Sequence, residues 1–359
     1  MISIVPNAQS VTNLQKRQLP SAPENAWLRF DRNVSRELVH RRALPEVLIA
    51  DSVQVADDEF LIGTQLPRAN ILWSDRGYPF HDPLLAIEVC RQAGLAIPQR
   101  YYEVEPDWQF ISKEIFLRVL DLAAFADNES SPPEGVLRVR FTNKRERRGR
   151  LRDLTVESEL TIDGQSAATV SGDMMFFPKT TYQRLRAQQR THKSPDGDLP
   201  QAISRPVDPA RVGRIFYRNV TIAESDVSSS ADGESRYVVV VDHGHPVFFD
   251  HPLDHVPGAL VIEVYRQSAI AAAAGDGARA PATAVVTRCD VQLADFAELS
   301  APLECSARVV EEPEAGRVQI ALGLHQLDNQ IGDAHVELYF ASTTDSGGRP
   351  AFAGRKRAV

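Results

Sequence analysis

Two stretches of the chain are apolar on nearly every face at helical spacing. One is "PLLAIEVCRQAGLAI", residues 83–97, and the other is "GALVIEVYRQSA", residues 258–269. Such a pattern predicts a helix packed inside protein on all sides rather than a surface helix with one dry stripe. The first is predicted to stop before Pro98, and the second to open behind Pro257. Each is interrupted at the same three places. Glu88, Arg91 and Gln92 recur as Glu263, Arg266 and Gln267, each pair 175 residues apart (88→263, 91→266, 92→267).

Around both helices the pattern switches to alternation. "GVLRVRFTNKRER", "LRDLTVESELTIDG" and "QSAATVSGDMMFF" follow the first helix, and "ATAVVTRCDVQLA", "APLECSARVVEE", "GRVQIALGLHQLD" and "IGDAHVELYFA" follow the second. Their period-two apolar positions and β-branched content predict antiparallel strands joined by short turns. A repeat this long means two copies of one domain, not a solenoid. The predicted organisation is an N-terminal flexible segment 1–32, a first domain 33–184, a linker 185–211, a second domain 212–343 and a flexible tail 344–359. The linker is read from the polar, proline-rich run "AQQRTHKSPDGDLPQAISRPVDPA", and "SDVSSSADGESR" is read as a hairpin loop. The class is α+β.

Composition narrows this only a little. With 359 residues, 43% apolar and 25% charged, the chain can bury a real core. Its formal charge of −8 argues against general nucleic-acid binding. Cys90, Cys289 and Cys305 form no CxxC pair, so neither a disulfide framework nor a cysteine zinc site is expected. No apolar run has the length of a membrane span, and the first residues lack a signal-peptide core, so a cytoplasmic protein is expected.

A glutamate inside an apolar helix is disfavoured as an anion, so burial should raise the pKa of Glu88 or Glu263 toward that of a general base. Arg91 or Arg266 suits a desolvated phosphate, because the guanidinium fork keeps its charge. The opposing reading is an ordinary i,i+3 ion pair within each helix. The start of the second helix, with Gly258 where the first carries Leu84, offers free N–H groups to an oxyanion. Asp242, His243, His245, Asp250, His251, Asp254 and His255 crowd one stretch, but at no standard zinc spacing, so no metal is expected. Asp254 is read near a capping position, and His255, like His81 with Asp82, as turn structure or substrate contact. No GxSxG, Walker or dinucleotide-binding motif supports a hydrolase, NTPase or dehydrogenase.

The motifs "LVHRRALPEVLI", "HDPLLAIEVCRQAG", "FFPKTTYQRLR", "HPVFFDHPLDHVPGALVIEVYRQSA" and "VELYFA" resemble those of the A-factor biosynthesis (AfsA) family, the γ-butyrolactone synthases of actinomycetes. The resemblance covers most of residues 38–342. It implies a tandem (double) hotdog, each repeat a sheet wrapped around a central helix, the two paired as an intramolecular pseudo-dimer. It also implies transfer of a β-ketoacyl group from an acyl carrier protein to dihydroxyacetone phosphate, followed by closure to a butenolide phosphate, a precursor of signals controlling antibiotic production. No cofactor is implied beyond the carrier's phosphopantetheine arm, and no nucleic-acid or membrane partner. The protein would act as a monomeric pseudo-dimer or a homodimer.

By the same resemblance the catalytic pair falls on Glu88 and Arg266, with Glu263 a further candidate. Arg91, Gln92, Gln267, His81, His255 and Gly258 are candidate substrate contacts. The alternatives are a hotdog dehydratase or thioesterase, or a non-catalytic ligand-binding hotdog. A dehydratase of this fold would need a histidine where Phe249 and Ser74 stand. Separately, the basic run 138–152 contains Arg145, Arg147 and Arg148, and is expected to steer an acidic carrier protein.

Overall fold

A computed structural model describes residues 28–127, 131–193, 205–225 and 233–341, apart from 276, 278, 315 and 328. The predicted tail and most of the N-terminal segment lie outside the described residues, as does much of the linker and of the hairpin loop. The first repeat runs β1 (Ile49–Ala56), β2 (Glu59–Gln65), α1 (Leu85–Tyr101), β3 (Gln109–Ile111), β4 (Glu114–Val119), β5 (Glu134–Arg147), β6 (Arg150–Ile162) and β7 (Gln165–Phe177). Helix α2 (Lys179–Lys193) follows. The second repeat runs β8 (Ile222–Glu224), β9 (Ser235–Val239), α3 (Gly258–Ala274), β10 (Ala284–Leu293), β11 (Leu303–Glu311), β12 (Arg317–Gln326) and β13 (Asn329–Phe340).

All these strands join one antiparallel sheet in the order β1-β2-β5-β6-β7-β4-β10-β13-β12-β11-β9-β8, with β3 paired to β7. The order reads the same from both ends once β1, β2, β5, β6, β7 and β4 are matched to β8, β9, β11, β12, β13 and β10. The repeats are therefore related by a pseudo-twofold axis at the β4–β10 seam, where Phe116 faces Asp290 and Leu117 faces Cys289. Strict alternation of burial along β12 shows one sheet face wrapped onto a core, as the period-two pattern requires. That core holds the helices. α1 lies against β1, β6 and β7, and α3 against β11, β12 and β13. Gly94 lets α1 approach the sheet, since a Cβ there would collide with Met174 Sδ.

Two elements depart from the sequence expectation. α1 does not stop before Pro98 but carries it inside its last turn, because Leu95, Ala96, Ile97 and Pro98 are all buried there and packing outweighs the lost N–H. The segment read as linker begins as α2, whose polar side chains dock onto the second repeat: Arg186 bonds Glu298 at 2.8 and 2.9 Å. A helix with few apolar residues gives little periodic signal, and its partners Asp254 and Glu298 lie more than sixty residues away.

Candidate active site

Each central helix carries its glutamate into a knot of donors. Glu88 accepts from Arg41 Nη2 (2.7 Å), from Arg91 Nη2 (2.7 Å) and Nε (2.8 Å), and from Gln92 Nε2 (2.7 Å). Glu263 accepts from Arg214 Nε (3.0 Å) and Nη2 (2.7 Å), from Arg266 Nη1 (3.1 Å) and from Gln267 Nε2. The glutamines tie the knots to the backbone. Gln92 accepts from Leu48 N–H and donates to Glu46 C=O, while Gln267 does the same with Thr221 and Asn219.

The arginines Arg41 and Arg214 also cross between repeats. Arg41 donates to Val247 C=O at 3.0 Å, and Asp250 accepts from the N–H groups of Arg42 (2.5 Å) and Ala43 (2.7 Å). Reciprocally, Arg214 donates to Leu72 C=O at 2.8 Å, and Asp75 accepts from Ile215 and Phe216 N–H. Leu72 and Val247, like Asp75 and Asp250, are 175 apart in number (72→247, 75→250). The two knots thus begin as copies.

They end differently. A cavity of about 430 Å³ opens between the repeats beside the first knot. His40, Glu88 and Arg91 line it from one repeat, and His251, His255 and Gly258 from the other. Arg91 keeps a quarter of its side chain exposed. Its Nη1 takes no acceptor among the described residues. α3 begins at Gly258 with no side chain capping its first turn, and nothing lies within 4 Å of where a Gly258 Cβ would be. In the second knot Glu263 also touches this cavity, but Arg266 is only 2% exposed and does not line it. The Arg266 Nε stands 3.8 Å from Asp82, which also accepts from Leu84 N–H at 3.1 Å just before α1. At the 175-residue offset, the residue matching Asp82 is Pro257. An acid therefore fills the space between helix start and arginine in one half. In the other half that space is open.

A family profile described as "A-factor biosynthesis hotdog domain" matches residues 24–178 and 196–342. The chain belongs to this family. It is 32% identical over 298 residues to the 2-oxo-3-(phosphooxy)propyl 3-oxoalkanoate synthase of Streptomyces virginiae, covering 83% of this chain and 95% of that protein. It is 27% identical to the synthase of that name from Streptomyces coelicolor, covering 82% and 87%. A third, from Streptomyces griseus, is 26% identical, covering 82% and 91%. The two matched segments of the A-factor family profile coincide with the two halves of the sheet.

Burial alone would raise the Glu88 pKa, but Arg41 and Arg91 outweigh it and hold the carboxyl well below the usual carboxylate range. Glu263 is likewise lowered, by Arg214 and Arg266 against its burial. Neither is the raised-pKa base expected from an apolar helix, because that reading counted only the helix's own residues. Glu88 and Arg266 sit in separate knots. Gln92 and Gln267 are fully buried braces, outside the cavity. His81 is buried too, its Nε2 4.0 Å from Asp127, and its pKa is pushed down to about 4 by burial and Arg76. Gly258 stands opposite Pro83, not Leu84, at the 175-residue offset.

The histidine-rich stretch is dispersed. His245 bonds Asn219, Asp250 clamps the other repeat, and Asp254 caps no helix but accepts from Arg186 Nε at 3.0 Å. Among the described residues no three His, Cys, Asp or Glu side chains gather to hold a metal. Sequence reasoning missed Arg41, Arg214 and Asp75, and it named Asp250 and Asp82 without their contacts to the other repeat. The signal for the first two was present: an arginine stands 47 residues before Glu88 and 49 before Glu263 (88−41, 263−214). In the basic run, Arg145 bonds Asp153, while Arg147 and Arg148 at the β5–β6 turn are exposed and without an ion pair among the described residues.

Proposed function

We propose that this chain is an acyltransferase that joins a β-ketoacyl thioester to the hydroxyl of dihydroxyacetone phosphate. The product would be a 2-oxo-3-(phosphooxy)propyl 3-oxoalkanoate, the compound for which the Streptomyces relatives are named. The observation that carries this reading is the open space between Arg91 and the start of α3, in the half where no acid takes Asp82's place. Two anionic groups need holding in the reaction: the substrate phosphate and the oxyanion formed at the thioester carbonyl. Arg91, with Nε and Nη2 fixed by Glu88, presents Nη1 to a phosphate oxygen. The free N–H groups of Gly258 and Ala259 suit the oxyanion. Phe110, Met174, Phe248 and Ile262 supply apolar wall for the acyl chain. In this reading Glu88 is a positioning residue.

No cofactor is needed beyond the phosphopantetheine arm of a carrier. Asp173 and Met175 line both the cavity and a shallow depression formed by Asn143, Lys144 and Arg145. The base of the basic hairpin therefore adjoins the cavity, a place from which Arg145, Arg147 and Arg148 could receive an acidic acyl carrier protein. Among the described residues no helix is long and apolar enough to cross a membrane. In this reading the reaction belongs to the cytoplasm, and the protein acts as a monomeric pseudo-dimer or a homodimer. Purified protein, a β-ketoacyl thioester and dihydroxyacetone phosphate should give the ester phosphate by mass spectrometry. Free β-keto acid alone would make the protein a thioesterase, and no consumption of thioester would make it a binding protein.

A further inference from the structure

Acyl transfer to an alcohol needs a group that removes the hydroxyl proton, and the saturated Glu88 is poorly suited to it. Four donor contacts occupy its two oxygens, and its charge is held by Arg41 and Arg91. Three histidines line the cavity. His40 lies tilted against Phe110, and burial and Arg91 push its pKa down to about 4. His251 stands 3.6 Å from Asp250, whose oxygens already accept from Arg42 and Ala43.

His255 is held differently. Its Nδ1 lies 2.7 Å from Asp254 Oδ1. Asp254 is itself fixed, accepting from Arg186 Nε at 3.0 Å and from Tyr182 Oη at 3.0 Å. Arg186 is anchored in turn by Glu298, and Arg190 bonds Asp254 at its exposed edge. The His255 ring packs edge-on to Phe296 at 4.7 Å. A proton on Nδ1 is required to donate to the carboxylate, which leaves the lone pair on Nε2. Nε2 has no protein partner among the described residues. The 175-residue offset puts Phe80 and Pro79 in the places of His255 and Asp254, so the other half has no such pair.

We infer that His255, oriented by Asp254, is the general base of the acyl transfer, an assignment that rests on the acyltransferase reading above. Nε2 takes the proton from the hydroxyl of dihydroxyacetone phosphate. The oxygen's electron pair forms the new C–O bond to the thioester carbonyl carbon. The C–S bond then breaks, and the thiolate leaves with the proton returned from the imidazolium. Asp254 stays ionised throughout, stabilising the imidazolium and holding the ring.

The test measures wild type, His255→Gln, His255→Ala and His251→Ala with a small β-ketoacyl thioester and dihydroxyacetone phosphate, after circular dichroism and melting confirm folding. His255→Gln should lose on the order of 10²–10⁴ in kcat with little change in KM for dihydroxyacetone phosphate. Added imidazole should restore part of the rate to His255→Ala and none to His251→Ala. Turnover of His255→Gln within threefold of wild type, or no response of His255→Ala to imidazole, overturns the assignment and leaves the acyltransferase reading standing. Wild-type protein that forms no ester overturns the acyltransferase reading, and the assignment with it.

Discussion

The two halves of this protein carry the same helix with the same Glu, Arg and Gln, yet they put them to different use. In one half Asp82 stands between the helix start and Arg266, accepts from Leu84 N–H ahead of the helix and joins a buried ion cluster. In the other half Pro257 stands in the corresponding place, the first turn of α3 is uncapped, and Arg91 faces a cavity. One half places a carboxylate 3.8 Å from its arginine, and in the proposed reading the other leaves that place to a ligand. In the proposed reading, duplication supplied two equivalent anion sites, and in the closed one Asp82 is a built-in occupant. A buried guanidinium needs such a partner, since an unpaired buried charge is among the costliest features a fold can contain.

That comparison can be broken by making the halves alike. Pro257→Asp should place a carboxylate between Arg91 and α3, cap the helix and occupy the anion site. Turnover should fall by more than about 10²-fold, the scale of losing an oxyanion or phosphate contact, while the melting temperature does not fall. Unchanged turnover would separate the open site from catalysis. Glu88→Gln should act first on stability. It leaves Arg41 and Arg91 without their carboxylate, and Arg41 is only 8% exposed. A loss on the order of 3–5 kcal/mol is expected in urea unfolding, as for other broken buried pairs. A variant as stable as wild type would show that Glu88 is not the keystone of the knot.

The acid limb tests the same carboxylates. Glu88 and Glu263 both have pKa values lowered in the folded state by their arginines. Their contribution is fully present above the unfolded carboxylate pKa of about 4.3 and is lost as pH falls through the folded values. Urea stability of wild type should therefore drop steeply below about pH 4, and Glu88→Gln should show a shallower slope. Equal slopes would mean that the Glu88 titration is not linked to folding. The smallest effect concerns the hairpin. Reversing Arg145, Arg147 and Arg148 to glutamate should raise KM for a carrier-bound donor several-fold, more at low salt, and leave a small thioester unaffected. Equal losses with both donors would remove the docking role.

The tandem architecture was legible because a buried central helix and its strands leave strong periodic signals, and because Glu88, Arg91 and Gln92 return at one fixed spacing. The partners of those residues were not. Arg41 and Arg214 come from irregular segments that no periodicity marks, and they reverse the direction in which burial alone would move the glutamate pKa. α2 was hidden for a related reason, since its side chains dock by charge on Asp254 and Glu298 rather than by an apolar stripe. The difference between Arg91 and Arg266 turns on Asp82 and Pro257, which look like ordinary helix-entry residues until both are seen against the arginines.

The most direct measurement is the KM for dihydroxyacetone phosphate of Arg91→Lys and Arg266→Lys, determined side by side with one small acyl thioester. Lysine keeps the charge but loses the fork. Arg91→Lys should raise this KM at least about tenfold, the scale of one lost charge-assisted contact, without a comparable change for the acyl donor. Arg266→Lys should lower the melting temperature and leave the KM within about twofold of wild type, because its partners are Glu263 and Asp82. A raised KM in Arg266→Lys with none in Arg91→Lys would contradict the account, placing the phosphate in the half that Asp82 closes.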